Sequence, residues 1–564
     1  MKNDSKSSSS VLVVGAGPIG LTIALALTQR GVKCRVIDKA PQASDKSKAV
    51  VVQARTLELL ESMGIVNDFL ASGHQVHANN FYAGNKKLIH LSFDEMEGPY
   101  PFTLLIPQSE TESLLTQQLQ KLSVRIERST ELVDFHQDAE SVTAKLRRAD
   151  GSEENVDAEW LVGCDGAHST TRHTLGFTFE GAAYNESFAT ADVHVSWSNP
   201  EDEMFAYLHE EGTVVFFPLG KHRYRIIANG SLHATGDPLS LEEMQKMVDT
   251  RGPANVVLSD PVWLTWFTIS RRSSSDYRKG RVFLAGDSAH IHTPALGQGM
   301  NTGMQDAFNL AWKLALVQQG LASSELLDTY QAERHPIGQK LIKMTDAVTK
   351  VVMLRNPIGQ KVRNHLMPLL ASHEVVQHRA WRTISMLGIN YRNSPIVGEH
   401  RETLTHAIAD MASWLDFAHG PAPGNRAPDG SVKNAGSEQS MRLFEVLRGT
   451  EHKILFFAGL KNAQESFRLI AKTILEVESK YGEYIRCHVI LPAPHDGNEL
   501  KSVGSILVDA DHSLHCLYGA AHQCLYLIRP DGYVGFRGQP IDFAPLHENL
   551  RKVFSKVFSK DVVH

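Results

Sequence analysis

Gly15, Gly17 and Gly20 stand in a GxGxxG spacing, and Asp38 follows 21 residues after Gly17. The apolar run 11–14 leads into these glycines, and Pro18 and Ile19 open a helix-like pattern after them. That order suits a pyrophosphate. Gly15 permits a tight turn, Gly17 lets the backbone approach the phosphates, and Gly20 lets the helix pack against the strand. The free N–H groups of the helix start then draw the negative charge. Asp38, with Lys39 beside it, sits where a carboxylate can bind ribose hydroxyls. The spacing reads as a dinucleotide site and does not choose between FAD and NAD.

Two later segments bear on that choice. The apolar pair Leu161 and Val162 runs into Gly163-Cys164-Asp165-Gly166, followed by Ser169 and Arg172. On local grounds this could also be a turn that caps a helix, with Asp165 or Ser169 as the N-cap. The third segment begins with the apolar stretch 281–285. Gly286-Asp287 ends it, placing a carboxylate where it could hold a sugar or ribityl hydroxyl. The run from Pro294 to Asn301 is glycine-rich and opens a helix, whose N–H groups and positive dipole end suit the negative edge of a reduced flavin. His290 and His292 read as packing and polar lining within this segment; no metal site is expected.

Positioning these residues requires a βαβ unit over 11–37 and a helix over 111–121. Strands are expected at 124–127 and 141–147. Residues 180–275 alternate apolar and polar, as in 213–217 and 224–228, which predicts an inserted antiparallel sheet. Helix resumes after Gly299. The stretch 395–440 is rich in Gly, Pro, Asn and Ser, so it reads as a boundary. Beyond it strands at 453–457, 488–491, 524–528 and 533–536 and a helix over 463–480 form a second α/β pattern. The polar lead 1–10 reads as disordered and lacks the apolar core of a signal peptide. Apolar runs are too short to span a membrane. A net charge of −6 with no basic stripe argues against a nucleic-acid partner. Five cysteines without a CxxC pair read as buried thiols of a cytoplasmic protein.

Taken together, the motifs resemble the single-component FAD-dependent aromatic hydroxylases, the group A flavoprotein monooxygenases. The likeness is strongest to the phenol, hydroxyphenylpropionate, polyketide and rifamycin hydroxylases. GxGxxG, the "DG" pair Asp165-Gly166, the "GD" pair Gly286-Asp287, the "RTLE" helix Arg55 to Glu58 and the "QSETE" helix Gln108 to Glu112 carry it. The resemblance implies an α/β chain built on a Rossmann-like FAD-binding domain of the p-hydroxybenzoate hydroxylase type (11–80, 101–179 and 276–395). It further implies a substrate-binding β-sheet domain (81–100 and 180–275), a helical connection, and a C-terminal thioredoxin-like domain (396–564), here without CxxC. Asp38 would bind the adenosine ribose, and Gln108 the ribose or ribityl region. Asp165 and Arg172 would hold the dinucleotide, and Asp287 the ribityl chain. Gly299, Met300 and Asn301 would follow the pyrimidine edge of the flavin, and Pro294, Leu296 and Gly297 its substrate face. Arg55 joins the cofactor-binding set. Lys48 stands where the family often has Arg, and Leu296 replaces a glycine of the family motif.

The implied reaction consumes NADPH or NADH and O2 and hydroxylates a phenolic or polycyclic aromatic compound through a flavin C4a-hydroperoxide. Baeyer–Villiger oxygenation, halogenation and a non-catalytic flavoprotein are the competing readings. The segment Trp263 to Ser270 is only superficially like the WxWxIP of flavin halogenases. A homodimer is a further possibility. His194, Tyr207, His209, Arg223 and Arg225 are the candidates for a substrate base, each with an ordinary sheet role as its alternative. Phe205, Phe216 and Phe217 are expected in the core rather than against substrate.

Overall fold

A computed structural model describes residues 9–44, 48–230, 238–354, 356–371, 373–401, 416–435, 437, 439–461, 463–493, 500 and 504–557. Most of the expected polar lead lies outside these residues, and the first strand already begins at Ser9.

The first sheet has eight strands. Its central order is Arg278–Lys279, Val282–Leu284, Glu153–Gly163, Ser9–Val14, Cys34–Ile37 and Ile126–Glu127. From Val282–Leu284 to Ile126–Glu127 the strands run parallel. Val11, Leu12, Val13, Leu161 and Val162 are wholly buried, as a parallel sheet covered on both faces demands. Register then does the positioning. Val14 lies opposite both Ile37 and Gly163, and Gly163 opposite Leu284. The residues that follow these strand ends are Gly15, Asp38, Asp165 and Asp287, so all emerge along one edge. The carboxyl edge of a parallel sheet is where such folds bind ligands.

Helix Pro18–Thr28 packs against Gly299–Gln318, which is buried through Ala315 on every side. Helix Gln108–Lys121 starts three residues before its expected position, because Pro107 (φ −55°) already turns the chain into it.

The second sheet, also of eight strands, is ordered His290–Ile291, Val257–Ser274, Phe179–Ser196, Arg223–Gly230, Gly212–Gly220, Glu203–His209, Ala78–Ala83 and Lys86–Ser92. It takes in two strands ahead of the main insertion, and a boundary at 81 would cut Ala78–Ala83 in half. The polar pair Asn79 and Asn80 hides the start of that strand from an apolar-pattern reading. Helix Leu241–Arg251, opened by a Ser240–Glu243 capping box, covers one face of the sheet.

The third sheet contains Gly398–Arg401, Val534–Gln539, Cys524–Ile528, His452–Phe457, Ile485–Pro492, Ser505–Asp509, Ser431–Asn434 and Ser440–Arg442, in that order. The helix Ala463–Tyr481 joins the parallel pair His452–Phe457 and Ile485–Pro492. Cys516 is exposed on a short surface helix, contrary to the expectation of five buried thiols.

This C-terminal unit is locked to the first by buried charge. Glu333 accepts hydrogen bonds from Arg529 (2.7 and 2.9 Å), Lys313 (2.8 Å), Asn309 (2.6 Å) and Ser394 (2.6 Å). Arg529 also pairs with Asp531 at 2.6 Å. Helix Ala54–Ser62 is held from the same side. Arg55 donates to the Asp531 carbonyl and lies over the Tyr533 ring, Arg426 pairs with Glu58, and Arg442 and Arg448 pair with Glu61.

The C-terminal unit also buries His452, whose Nε2 has no hydrogen-bond partner among the described residues. Burial, aided by Arg529, Lys453 and Arg30, depresses its pKa to about 3, and burial likewise takes His488 to about 4. An unfolded histidine protonates near ~6.5, so below that pH the unfolded chain binds protons that the folded chain refuses. Stability is therefore expected to fall as pH drops from about 6.5 towards 4. The His452→Phe variant should show a shallower slope in denaturant titrations across that range. An unchanged slope would remove His452 as a source.

Candidate active site

The glycine turn is built for close approach. Gly15 has φ +102°, and a Cβ there would meet the Cys164 carbonyl oxygen at 2.4 Å. A Cβ on Gly20 would overlap the Gly15 carbonyl at 1.8 Å. Gly17 differs, since a Cβ there would have nothing within 4 Å. The space before Gly17 is open and lies at the N-terminus of Pro18–Thr28. Gly17→Ala is therefore expected to leave the melting temperature of the apoprotein unchanged while weakening FAD binding by about tenfold, ~1.4 kcal/mol. Fluorescence titration of FAD checks this, and an unchanged affinity would refute the cradle.

Asp38 accepts hydrogen bonds from the amides of Ala16 and Ala40, both at 2.7 Å, and lies 3.5 Å from Arg128. Sequence reasoning missed Arg128, which reaches this place only because Val36 pairs with Ile126. Lys39 and Lys48 are exposed. Gln108 accepts from the Ala49 amide at 3.2 Å and donates to Glu112 at 2.9 Å, tying its helix to the Lys48 loop.

Asp287 sits on the tight turn Gly286–Ser288. Gly286 has φ +65°, and a Cβ there would strike Ile19 at 2.8 Å. Its amide donates to Asp306 (3.1 Å), and the Ser288 hydroxyl to the Gly163 carbonyl (2.6 Å). Asp306 is in turn held by His290 and Arg334, each at 2.7 Å. With the turn fixed in this way, the Asp287 side chain is exposed and makes no hydrogen bond among the described residues. Surrounding protein raises its pKa, while the charges of His290 and Lys48 oppose the shift. His292 donates to the Thr293 carbonyl at 2.9 Å, and burial lowers its pKa to about 4, so it lines the site as a neutral ring.

Three expected cofactor contacts have other work. Asp165 accepts from the Ser169 hydroxyl (2.5 Å) and from the Thr171 amide and hydroxyl (2.9 and 3.0 Å), so its carboxylate is spent on the start of helix Thr170–Leu175. Its neighbour Gly166 (φ +78°) faces open space. Arg172 is buried, donates to the carbonyls of Ser288 and Ala167 at 2.9 Å, and lies 3.8 Å from the Phe179 ring. It fixes the Asp287 turn rather than reaching past it. Arg55 is turned away, into the contact with the C-terminal unit.

The third segment closes one end of a cavity. Gly297 has φ +63° and touches Val51 so closely that a Cβ would sit 2.7 Å away. Asn301 spends its side chain on backbone, accepting from the Gln53 amide (2.8 Å) and donating to the Val51 and Gly297 carbonyls (2.8 Å each). Gln53 donates to the Leu296 carbonyl at 3.1 Å. Met300 is buried, and Gly299 faces His292. Pro294, Leu296 and Gly297 thereby line a cavity of about 150 Å³. The second sheet supplies the opposite wall, with Val215, Phe217 and Ile227 among its side chains. One water needs ~10–15 Å³ on this measure, so the space suits an organic molecule.

None of the five base candidates lines this cavity. Tyr207 accepts a hydrogen bond from Asn199 and stacks on Tyr82, His209 accepts from the Glu211 amide, and Arg223 donates to Asp260. His194 lies opposite Arg223, beyond the cavity end of the strand. Arg225 is paired in two bonds with Asp192 (2.7 and 2.6 Å) and approaches the carbonyls of Lys48 and Ala49. Phe217 lines the cavity, contrary to expectation, while Phe216 and its cross-strand neighbour Phe205, which also borders the cavity, pack in the core beneath helix Leu241–Arg251 as expected. Alternation explains the split, since residues 213, 215 and 217 share the cavity face of their strand. The Trp263 to Ser270 segment is an internal part of strand Val257–Ser274.

A family model described as an FAD binding domain matches residues 8–345. The chain belongs to the FAD-dependent aromatic monooxygenases. It is 35% identical over 540 residues to 6-methylpretetramide 4-monooxygenase of Streptomyces rimosus, covering 94% of this chain and 90% of that one. It is 32% identical to pentachlorophenol 4-monooxygenase of Sphingobium chlorophenolicum, covering 94% and 93%. Among solved structures, the anhydrotetracycline hydroxylase OxyS of Streptomyces rimosus superposes with a TM-score of 0.73 at 27% identity, over 97% of this chain and 99% of that one.

The residues present fit the cofactor of this monooxygenase family. Open space before Gly17 suits a pyrophosphate, and the partnerless Asp287 suits a polyhydroxylated chain. Both lie on one sheet edge, between the N-termini of Pro18–Thr28 and Gly299–Gln318, whose dipoles favour negative charge. Among the described residues no group of His, Cys, Asp or Glu is placed to hold a metal ion, and no helix is long and apolar enough to cross a membrane.

Proposed function

We propose that this monooxygenase hydroxylates a phenolic or polycyclic aromatic compound in the cytoplasm, consuming O2 and NADPH or NADH. The observation that carries the reading is a cavity walled on one side by Pro294, Leu296 and Gly297 and on the other by the apolar face of the second sheet. FAD, when bound, supplies the electron transfer and the oxygen activation. The chain's own part is to bind, orient and keep dry. Gly15, Gly17, Pro18, Ile19 and Gly20 receive the pyrophosphate, Asp38 and Lys39 the adenosine ribose, and Gln108 the middle of the cofactor. Asp287 holds the ribityl chain, with Lys48 close enough to balance its charge. The backbone of Gly299, Met300 and Asn301 borders the flavin pyrimidine. Asp165, Gly166, Arg172 and Gly286 shape the turns that carry these contacts.

Residues 396–564 form a thioredoxin-like unit in this reading. Without a CxxC pair, its role is structural or dimer-forming. The substrate domain is the second sheet, including 78–92.

The test is direct. The flavin-loaded protein should oxidise NAD(P)H faster in the presence of an accepted aromatic compound, consume O2, and yield a product one oxygen heavier. A ring-expanded lactone would point to Baeyer–Villiger oxygenation instead. Flavin-loaded protein whose NAD(P)H oxidation no aromatic compound stimulates would overturn the proposal.

A further inference from the structure

The lining of the cavity can be accounted for atom by atom. Among the described residues it contains no acidic, basic, imidazole or phenolic side chain. Its polar side chains are two sets. Gln53, Asn80, Thr103, Asn229, Thr293 and Thr349 are all satisfied within the protein. Gln53 bonds Leu296 and Thr103, and Thr293 bonds Thr349 at 2.9 Å. Asn80 donates to Glu203 (2.6 Å) and accepts from His90 (2.9 Å). Asn229 accepts from the Thr213 amide (2.5 Å) and donates to Glu186 (2.8 Å).

Asn79 and Thr213 form the other set. They are 9% and 6% exposed, and neither Asn79 Oδ1 nor Thr213 Oγ1 has a hydrogen-bond partner among the described residues. A buried polar group left unpaired is costly, and native proteins seldom leave one without a reason. The other six polar side chains around the cavity all have partners, so these two stand apart within its lining. The partner for these two can come from the cavity they line.

We infer that Asn79 and Thr213 are the specificity-determining pair of the cavity and that they bind the neutral oxygen substituents of an uncharged aromatic substrate, Asn79 Oδ1 accepting from a hydroxyl and the Thr213 hydroxyl accepting from a hydroxyl or donating to a carbonyl. The inference rests on the proposed hydroxylase reading and deepens it. A carboxylated aromatic is excluded by the same lining. Desolvating a carboxylate without a cation is prohibitive. Of the buried cations beside the cavity, Arg225 is neutralised by Asp192 and Arg363 donates to the carbonyls of Val351 and Val352, and neither lines it among the described residues. Sites with polar groups awaiting a ligand oxygen reject the analogue that lacks it.

Three probes test the pair by perturbation of the flavin absorbance of the FAD-loaded protein: 1-naphthol, naphthalene and 1-hydroxy-2-naphthoate. In the wild type, 1-naphthol should bind roughly fivefold to tenfold more tightly than naphthalene, and the carboxylate should bind more weakly than either. Asn79→Leu and Thr213→Val should each lower 1-naphthol affinity towards that of naphthalene, leave naphthalene affinity unchanged, and retain wild-type flavin content. A purely structural role would move both affinities together. Variants that keep the full preference for 1-naphthol, or a wild type that binds 1-hydroxy-2-naphthoate as tightly as 1-naphthol, would overturn the inference while aromatic-stimulated NAD(P)H oxidation left the hydroxylase reading standing. A flavin-loaded wild type that binds none of the three would remove both.

Discussion

Glu333→Ala is expected to destabilise the folded protein by about 3–5 kcal/mol, the usual consequence of removing one partner from a buried charge cluster. Glu333 is completely buried and answers two cations at once, Arg529 and Lys313. Those cations hold its carboxyl far below the ordinary carboxylate range. Without it, Asp531 alone would face both positive charges. Lys313, already drawn down to about 8 by burial, would then lose its proton more readily. Because the folded pKa of Glu333 is depressed, its contribution is complete above the unfolded value of ~4.3 and is lost as pH falls through the folded value. Denaturant titration of wild type, Glu333→Ala and Glu333→Gln at pH 7 checks the size. A loss under ~1 kcal/mol in both variants would show that the cluster does not hold the two units together.

Asp287→Ala should act in the opposite compartment of the energy balance. FAD affinity is expected to fall by about tenfold to a hundredfold, the worth of a hydrogen bond to a charged group at ~1.5–3 kcal/mol. The apoprotein should melt at the wild-type temperature. The reason is that the exposed Asp287 makes no hydrogen bond among the described residues, so its removal costs the apoprotein no contact. The two readouts must separate, with cofactor retention lost and apoprotein stability kept. Flavin absorbance after gel filtration measures the first, and thermal melting the second. Unchanged flavin content would refute the placement of the ribityl contact.

The glycine turn, the strand–helix–strand unit and the Asp287 turn were legible because each is a local pattern. Spacing alone determines that Gly15 must be a glycine and that Asp287 leaves the end of a strand. The destinations of long side chains were not legible in this way. Arg55 and Asp531 are 476 residues apart, and nothing near Arg55 signals that its guanidinium turns to the C-terminal unit. The bonds of Arg172 are hidden for a related reason. A buried arginine beside a cofactor motif reads as a ligand contact until the carbonyls that use its donors are known. Asp165 was ambiguous between cap and contact from the start, and the helix decided it. The cavity wall was half legible. Alternation told which residues share a face, but apolar content could not tell which face is covered by a helix and which by a ligand, so Phe217 and Phe216 were placed together although they point apart.

Helix Ala54–Ser62 belongs in sequence to the nucleotide-binding part, yet its Arg55, Glu58 and Glu61 are matched to groups near residues 426–448 and 531–533. The residue just before it, Gln53, lines the cavity. For chimeras between relatives, the natural seam is therefore not the sequence boundary near 396. A transplanted C-terminal unit has to travel with the helix it grips, or the exchange will report on mismatched arginines and glutamates rather than on the domain that was swapped.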